Sequence, residues 1–261
     1  MNRREQVTFA SCLGHDLSGV VDLPGKEPEG YALIVHCFTG GKEHHATRRI
    51  ARELTDRGLA VLRFDLSGLG ESGGELATST FTDDVADVVR AARYLADEYG
   101  PPTLLVGHSL GGAAALAAAS EIDTVAAVAT IGAPSDPAHV THLFAAEMES
   151  IDEHGEAKVT LAGRRFRITG EYVEDLRNQQ QAASIHGLGK PLLILHAPGD
   201  EVVDIDQARL IYDAARHPKS FVALDGADHL LTQHRQAVRV ALLIAAWADP
   251  YLPETFTPEI D

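Results

Sequence analysis

The chain has 261 residues, 45% hydrophobic and only 6% aromatic, enough interior for one large α/β domain with a full core and no need of a second. Lys plus Arg number 22 against 38 Asp plus Glu, a formal net charge of −16, and such a surface repels phosphate backbones and anionic lipid, so neither nucleic acid nor membrane is expected as a partner. The opening Met1-Asn2-Arg3-Arg4-Glu5-Gln6 lacks the apolar run of a signal peptide and no window approaches a membrane span, so the sequence reads as a soluble cytoplasmic protein whose two cysteines, Cys12 and Cys37, stay reduced.

Glu5 to Ala10 and Leu17 to Leu23 are rich in β-formers and precede Pro24-Gly25, which predicts an opening antiparallel pair. Tyr31 to Val35 is a short apolar run suited to a strand buried on both faces. Ala46, Ile50 and Leu54 follow at helical spacing up to Gly58, then a second buried strand, Leu59 to Phe64, and a glycine-rich loop from Asp65 to Gly74. Between Thr78 and Gly100, Phe81, Val85, Val88, Val89, Ala92 and Leu95 fall on one helical face. Leu104-Leu105-Val106 leads through Gly107-His108-Ser109-Leu110-Gly111 into a small-residue helix, and Val125 to Ile131 forms the next strand.

From Asp136 to about Lys190 the rhythm breaks. A helix is expected from His139 to Met148, and Lys158–Leu161 and Arg165–Ile168 flank Ala162-Gly163 as a hairpin. An insertion of that size between core strands reads as a lid over about 136–190. The alternation resumes with Pro191 to Leu195, a helix near Asp206 to Arg216, the strand Ser220 to Leu224 and a last helix from about Gln233 to Trp247. Strands alternating with helices predict a mostly parallel sheet covered on both faces, in one domain spanning 1–251, with a linker-like tail at 252–261.

A strand, a G-x-S-x-G turn and a helix form a nucleophile elbow, which forces the serine backbone into strain and leaves no room for side chains at the flanking glycines. Ser109 is therefore the candidate nucleophile. A serine hydroxyl needs a general base and a group to orient that base. Among 13 histidines, His229 lies in the loop after the strand ending at Leu224, and Asp200 lies after the strand ending at Leu195. Asp228 adjoins the histidine too closely to fold back on its ring, and Asp204 suits a helix cap. Two backbone N–H groups must face the oxyanion. One should be the N–H of Leu110, which follows the nucleophile, and the second should come from the loop His36-Cys37-Phe38-Thr39-Gly40-Gly41 after the strand Tyr31 to Val35.

Ser109 in its elbow, the His36-Cys37-Phe38 loop, the Asp65-to-Ser72 loop, Asp200 and His229 together resemble the α/β-hydrolase superfamily over nearly the whole chain. More narrowly, the His36-Cys37-Phe38-Thr39 loop, Ile131-Gly132-Ala133-Pro134 and the run from His217 through Leu231 resemble the hydrolase half of bacterial proteins fused to an OsmC-like domain. The superfamily resemblance assigns the second oxyanion donor to Phe38, the position that follows a His-Gly pair in many hydrolases of this type, with Cys37 here in place of that glycine. In the narrower comparison the chain ends at Asp261, where the second domain would begin, as either a stand-alone relative or a fusion cut at its linker. The resemblance implies an α/β-hydrolase fold and a serine esterase cleaving a small-molecule ester through an acyl-enzyme, without cofactor. Asp65 and Ser72 are then expected to brace the floor of the site. The alternatives are a thioesterase or amidase using the same residues, or a binding module for a ligand or an OsmC-like partner. His44-His45 and the pair His139 and His142 lack a third ligand at metal spacing, and no lysine follows the glycines as a phosphate loop requires. Arg164-Arg165-Phe166-Arg167 reads as one solvated hairpin face, with a carboxylate-bearing substrate as the sharper alternative.

Overall fold

The computed structural model describes residues 1–161 and 163–253; Ala162, in the expected hairpin turn, and residues 254–261 of the expected tail lie outside them. Among the described residues ten strands form: β1 (Arg3–Ala10), β2 (Asp16–Leu23), β3 (Gly30–Val35), β4 (Leu59–Phe64), β5 (Leu104–His108), β6 (Ala127–Ile131), β7 (Glu156–Leu161), β8 (Arg164–Thr169), β9 (Leu192–His196) and β10 (Lys219–Ala223). Eight of them make one sheet in the order β1-β2-β4-β3-β5-β6-β9-β10, parallel from β4 to β10 with β1 and β2 added antiparallel. β7 and β8 pair separately as an antiparallel hairpin.

Alternation of side chains explains the layering. Leu33, Val35, Leu62 and Phe64 face one core, while Ala32, Ile34, Leu59 and Val61 face the other. Against the second lie α1 (His45–Thr55), which presents Ala46, Ile50 and Leu54, and the C-terminal helix His234–Ala248, which presents Ala237, Val240, Ala241 and Ile244. The first is covered by α2 (Phe81–Glu98), α3 (Leu110–Ala118) and the helix Asp206–Ala214. The predicted helix from Thr78 starts later, because Thr80 and Asp83 form a reciprocal capping box at its N-terminus.

The chain order of the sheet reverses beside β3, with β4 on one side and β5 on the other. A crevice therefore opens at the carboxyl ends of β3 and β5, where a parallel α/β sheet places its ligands. The insertion covers this end. The expected helix from His139 to Met148 is corrected to 3₁₀ turns over Pro137–Glu147, interrupted at Phe144, whose backbone leaves helical space (φ −134°, ψ 32°) as its side chain is buried. α4 (Met148–His154) follows and stops at Gly155 in the left-handed region. Beyond the hairpin come α5 (Gly170–Asn178), capped by Thr169, and α6 (Gln181–Gly187), neither of which was expected. They precede α7 (Asp206–Ala214) and α8 (His234–Ala248).

Candidate active site

Ser109 sits between β5 and α3 with φ 54° and ψ −126°, a backbone conformation that L-residues rarely adopt. Its N–H donates to the Ile131 carbonyl at 2.8 Å and its carbonyl accepts from Gly112 at 2.8 Å, so neighbouring elements hold the strained residue from both sides. The glycines around it are required by space. A Cβ on Gly107 would collide with the Gly111 carbonyl, one on Gly111 with the His36 carbonyl, and one on Gly112 would stand 2.6 Å from the Ala133 Cβ.

The three predicted side chains converge. The Ser109 Oγ lies 3.0 Å from Nε2 of His229, whose Nδ1 lies 2.7 Å from Oδ2 of Asp200. The other carboxylate oxygen of Asp200 accepts from the Val202 and Val203 amides, each at 2.9 Å. Burial alone would raise this carboxyl, but its hydrogen bond to His229, that residue's charge and the two amides hold it below the usual carboxylate value. A carboxylate kept ionised there fixes the Nδ1–H tautomer and leaves Nε2 as the acceptor facing the serine. Gly132, at φ +53°, passes directly beneath: a Cβ there would lie 3.3 Å from both Asp200 Oδ2 and His229 Nδ1. The competing acids are engaged elsewhere. Asp228 accepts from the Leu230 and Thr232 amides, and Asp204 from the Asp206 amide.

Phe38 follows β3, and Leu110 opens α3 with an amide at the positive end of the helix. Replacement of the usual glycine by Cys37 is accommodated: the residue is buried, has no positive φ, and burial pushes its thiol up to about 11, which makes it unreactive. A cavity of about 230 Å³ opens over Ser109 and His229, walled by Phe38, Val140, Leu143, Leu161, Val202 and Leu230. The insertion supplies three of these walls. It is also tied to the loop of Phe38, since Arg164 donates to the carbonyls of Thr39 (3.0 Å) and Gly40 (3.2 Å), and Phe166 packs on Phe38 with ring centroids 5.6 Å apart. Arg167 instead pairs with Glu75 and Glu156 on the surface.

Below the loop, Asp65 accepts from the Lys42 amide and ammonium and from the Glu71 amide, and Ser72 Oγ donates to the Asp65 carbonyl. Among the described residues no group of three metal-ligating side chains converges and no helix is long and apolar enough to cross a membrane. Sequence reasoning passed over three buried histidines, His36, His108 and His196, at the ends of β3, β5 and β9. The available signal was a polar residue closing an otherwise apolar strand.

A parallel sheet with a strained serine at the strand-to-helix turn of β5 defines an α/β hydrolase. The chain belongs to the alpha/beta hydrolase family, whose profile matches residues 32–241. It is similar to the esterase domain of a protein from Rhodothermus marinus, with 43% identity, covering 95% of this chain and 99% of that one at a TM-score of 0.78. The uncharacterised protein YfhR of Salmonella typhimurium is 25% identical over 228 residues, 87% of this chain and 74% of the relative. A monoacylglycerol lipase of Mycolicibacterium smegmatis is 22% identical over 241 residues, 80% of this chain and 84% of the lipase.

Proposed function

We propose that this hydrolase is a serine esterase that cleaves small carboxylic esters through an acyl-enzyme. The observation that carries the reading is the unbroken line from Ser109 Oγ through His229 to Asp200, opening into a largely apolar cavity. Ser109 attacks the ester carbonyl while His229 Nε2 takes its proton, and Asp200 steadies the imidazolium that forms. The carbonyl oxygen becomes an oxyanion held by the N–H groups of Phe38 and Leu110. His229 then gives its proton to the departing alcohol, and water, activated by the same base, releases the acid. Relatives described as an esterase domain and a lipase support ester chemistry.

A cavity of about 230 Å³ lies below the roughly 300–1,000 Å³ of ordinary small-molecule pockets, which favours short acyl chains. The insertion over 136–190 acts as the lid in this reading, on a hydrolase domain spanning 1–251 of a cytoplasmic protein. In this reading the chain also resembles the hydrolase half of bacterial proteins fused to an OsmC-like domain, through Ile131-Gly132-Ala133-Pro134 and the run from His217 to Leu231.

Hydrolysis of a p-nitrophenyl series from acetate to palmitate, beside Ser109→Ala, tests this. Turnover is expected to peak at short chains, and the variant is expected to lose at least about 10³-fold in kcat. Undiminished turnover in Ser109→Ala would overturn the assignment. A Ser109-dependent activity confined to thioesters or amides would redirect it to those substrates, and none on any acyl compound would favour a binding module.

A further inference from the structure

Three parallel strands at the crevice end in a histidine outside the line of Ser109, His229 and Asp200. His36 follows β3, His108 closes β5 and His196 closes β9, with exposures of 0%, 3% and 0%. Burying an imidazole costs free energy that an apolar residue of similar size would not, unless its hydrogen bonds accomplish something. Each ring donates one N–H to a backbone carbonyl in a loop that carries part of the site.

His108 Nε2–H donates to the carbonyl of His229 itself at 2.7 Å, bridging 121 positions of sequence. His196 Nε2–H donates to the Val203 carbonyl at 2.8 Å, and the amide of that same residue holds Asp200 Oδ1. His36 Nδ1–H donates to the Cys37 carbonyl at 2.7 Å, while its Nε2 accepts from the Leu66 amide at 3.1 Å, so the ring is anchored at both ends. The Cys37 carbonyl and the Phe38 N–H belong to one trans peptide and point in opposite directions. Holding that carbonyl therefore aims the amide assigned to the oxyanion. Burial lowers the basicity of all three rings, His108 to about 3, so they stay neutral. Neutrality matters most for His108, whose ring centroid is 5.4 Å from that of His229; a cation there would oppose formation of the imidazolium.

We propose that His36, His108 and His196 are positioning residues, each using one N–H···O=C bond at a strand end to hold the oxyanion amide, the general base and the acid loop in reacting geometry. The inference rests on the esterase reading. Its test exploits the different ring atoms used. An asparagine amide stands near the place of Nδ1 and a glutamine amide near that of Nε2, so the two residues should rescue different positions. His108→Leu, →Asn and →Gln and His36→Leu, →Gln and →Asn are assayed on the best p-nitrophenyl ester, with melting curves and the inhibition constant of a trifluoromethyl ketone that mimics the tetrahedral intermediate.

The leucine variants are expected to lose about 10- to 100-fold in kcat, with KM changed less than about threefold. Glutamine should restore most of the loss at position 108, and asparagine at position 36. Ketone affinity should fall in step with kcat/KM, which a loss of packing alone would not produce. Equal activity of the asparagine and glutamine variants at both positions overturns the inference, even if the leucine variants fail to fold; so does wild-type kcat in a folded His108→Leu. Ser109→Ala in the same assay separates the two readings. Turnover that survives that substitution defeats the esterase assignment, whereas Ser109-dependent turnover indifferent to these histidines defeats only their positioning role.

Discussion

Asp84 on α2 is a carboxyl group buried to 3% exposure, with one oxygen lacking any protein partner among the described residues. Burial pushes its pKa well above 3.8, and the charges of Asp87, Asp83 and Asp175 push it further. The neighbouring Tyr172 hydroxyl is likewise buried and unbonded. Because the native state holds the Asp84 proton more tightly than the unfolded chain, the group costs stability as pH rises through 3.8 and beyond. Asp84→Asn, nearly isosteric, is therefore expected to raise the melting midpoint at pH 7, by about 3 °C for a gain of ~1 kcal/mol. A midpoint that stays or falls on calorimetry would contradict this account. Ser109, Asp200 and His229 were legible at this scale because chemistry and chain order single them out. His36, His108 and His196 were not, because a histidine ending a strand has no assignable partner until the loop that supplies its carbonyl is in place.

At the scale of elements, strands and long amphipathic helices were read within a few residues, since burial on one or both faces imposes a period of its own. The insertion was read less well. Its α5 carries Tyr172, Val173 and Leu176 on a buried face, a pattern too short to stand out from surrounding polar sequence. Arg164, Arg165 and Arg167 of the basic cluster are exposed, and Arg164 in addition reaches back to two carbonyls of the Phe38 loop. This side chain fastens hairpin to oxyanion loop, so Arg164→Ala should increase hydrogen exchange in β8 and in residues 39–41 and lower kcat/KM by about three- to tenfold. Arg164→Lys should recover part of the loss, because a single guanidinium nitrogen makes both bonds and an ammonium also offers several donors from one atom. Unchanged exchange in the alanine variant would mean that the hairpin is held by Phe166 and its apolar neighbours alone.

Across the whole molecule, buried and half-buried histidines set the response to acid. His36, His44, His108, His139 and His196 all lie below 6.5 through burial, His44 at about 4 and His108 at about 3. Below 6.5 the unfolded chain takes up protons that the native state refuses, so their stabilising contribution is complete above 6.5 and drains away as pH falls toward these lower values. Asp65 and Asp200, held below 3.8, add the same sign at still lower pH, while Asp84 opposes it. Scanning fluorimetry between pH 7 and 5 should show the midpoint of wild type falling more steeply than that of His108→Gln, which removes one of these groups. Parallel curves would refute the histidine account.

The amino-acid sequence alone determined the α/β class, the elbow around Ser109 and the candidacy of Asp200 and His229, because periodic burial and the steric demands of a G-x-S-x-G turn are local properties. The strand order, the crevice beside β3 and the walls of the cavity were decided only by tertiary structure. So were the partners of the three strand-end histidines and of Arg164. Those features depend on which loops meet at the carboxyl edge of the sheet, and such meetings join residues as far apart as His108 and His229, whose contact no local pattern encodes.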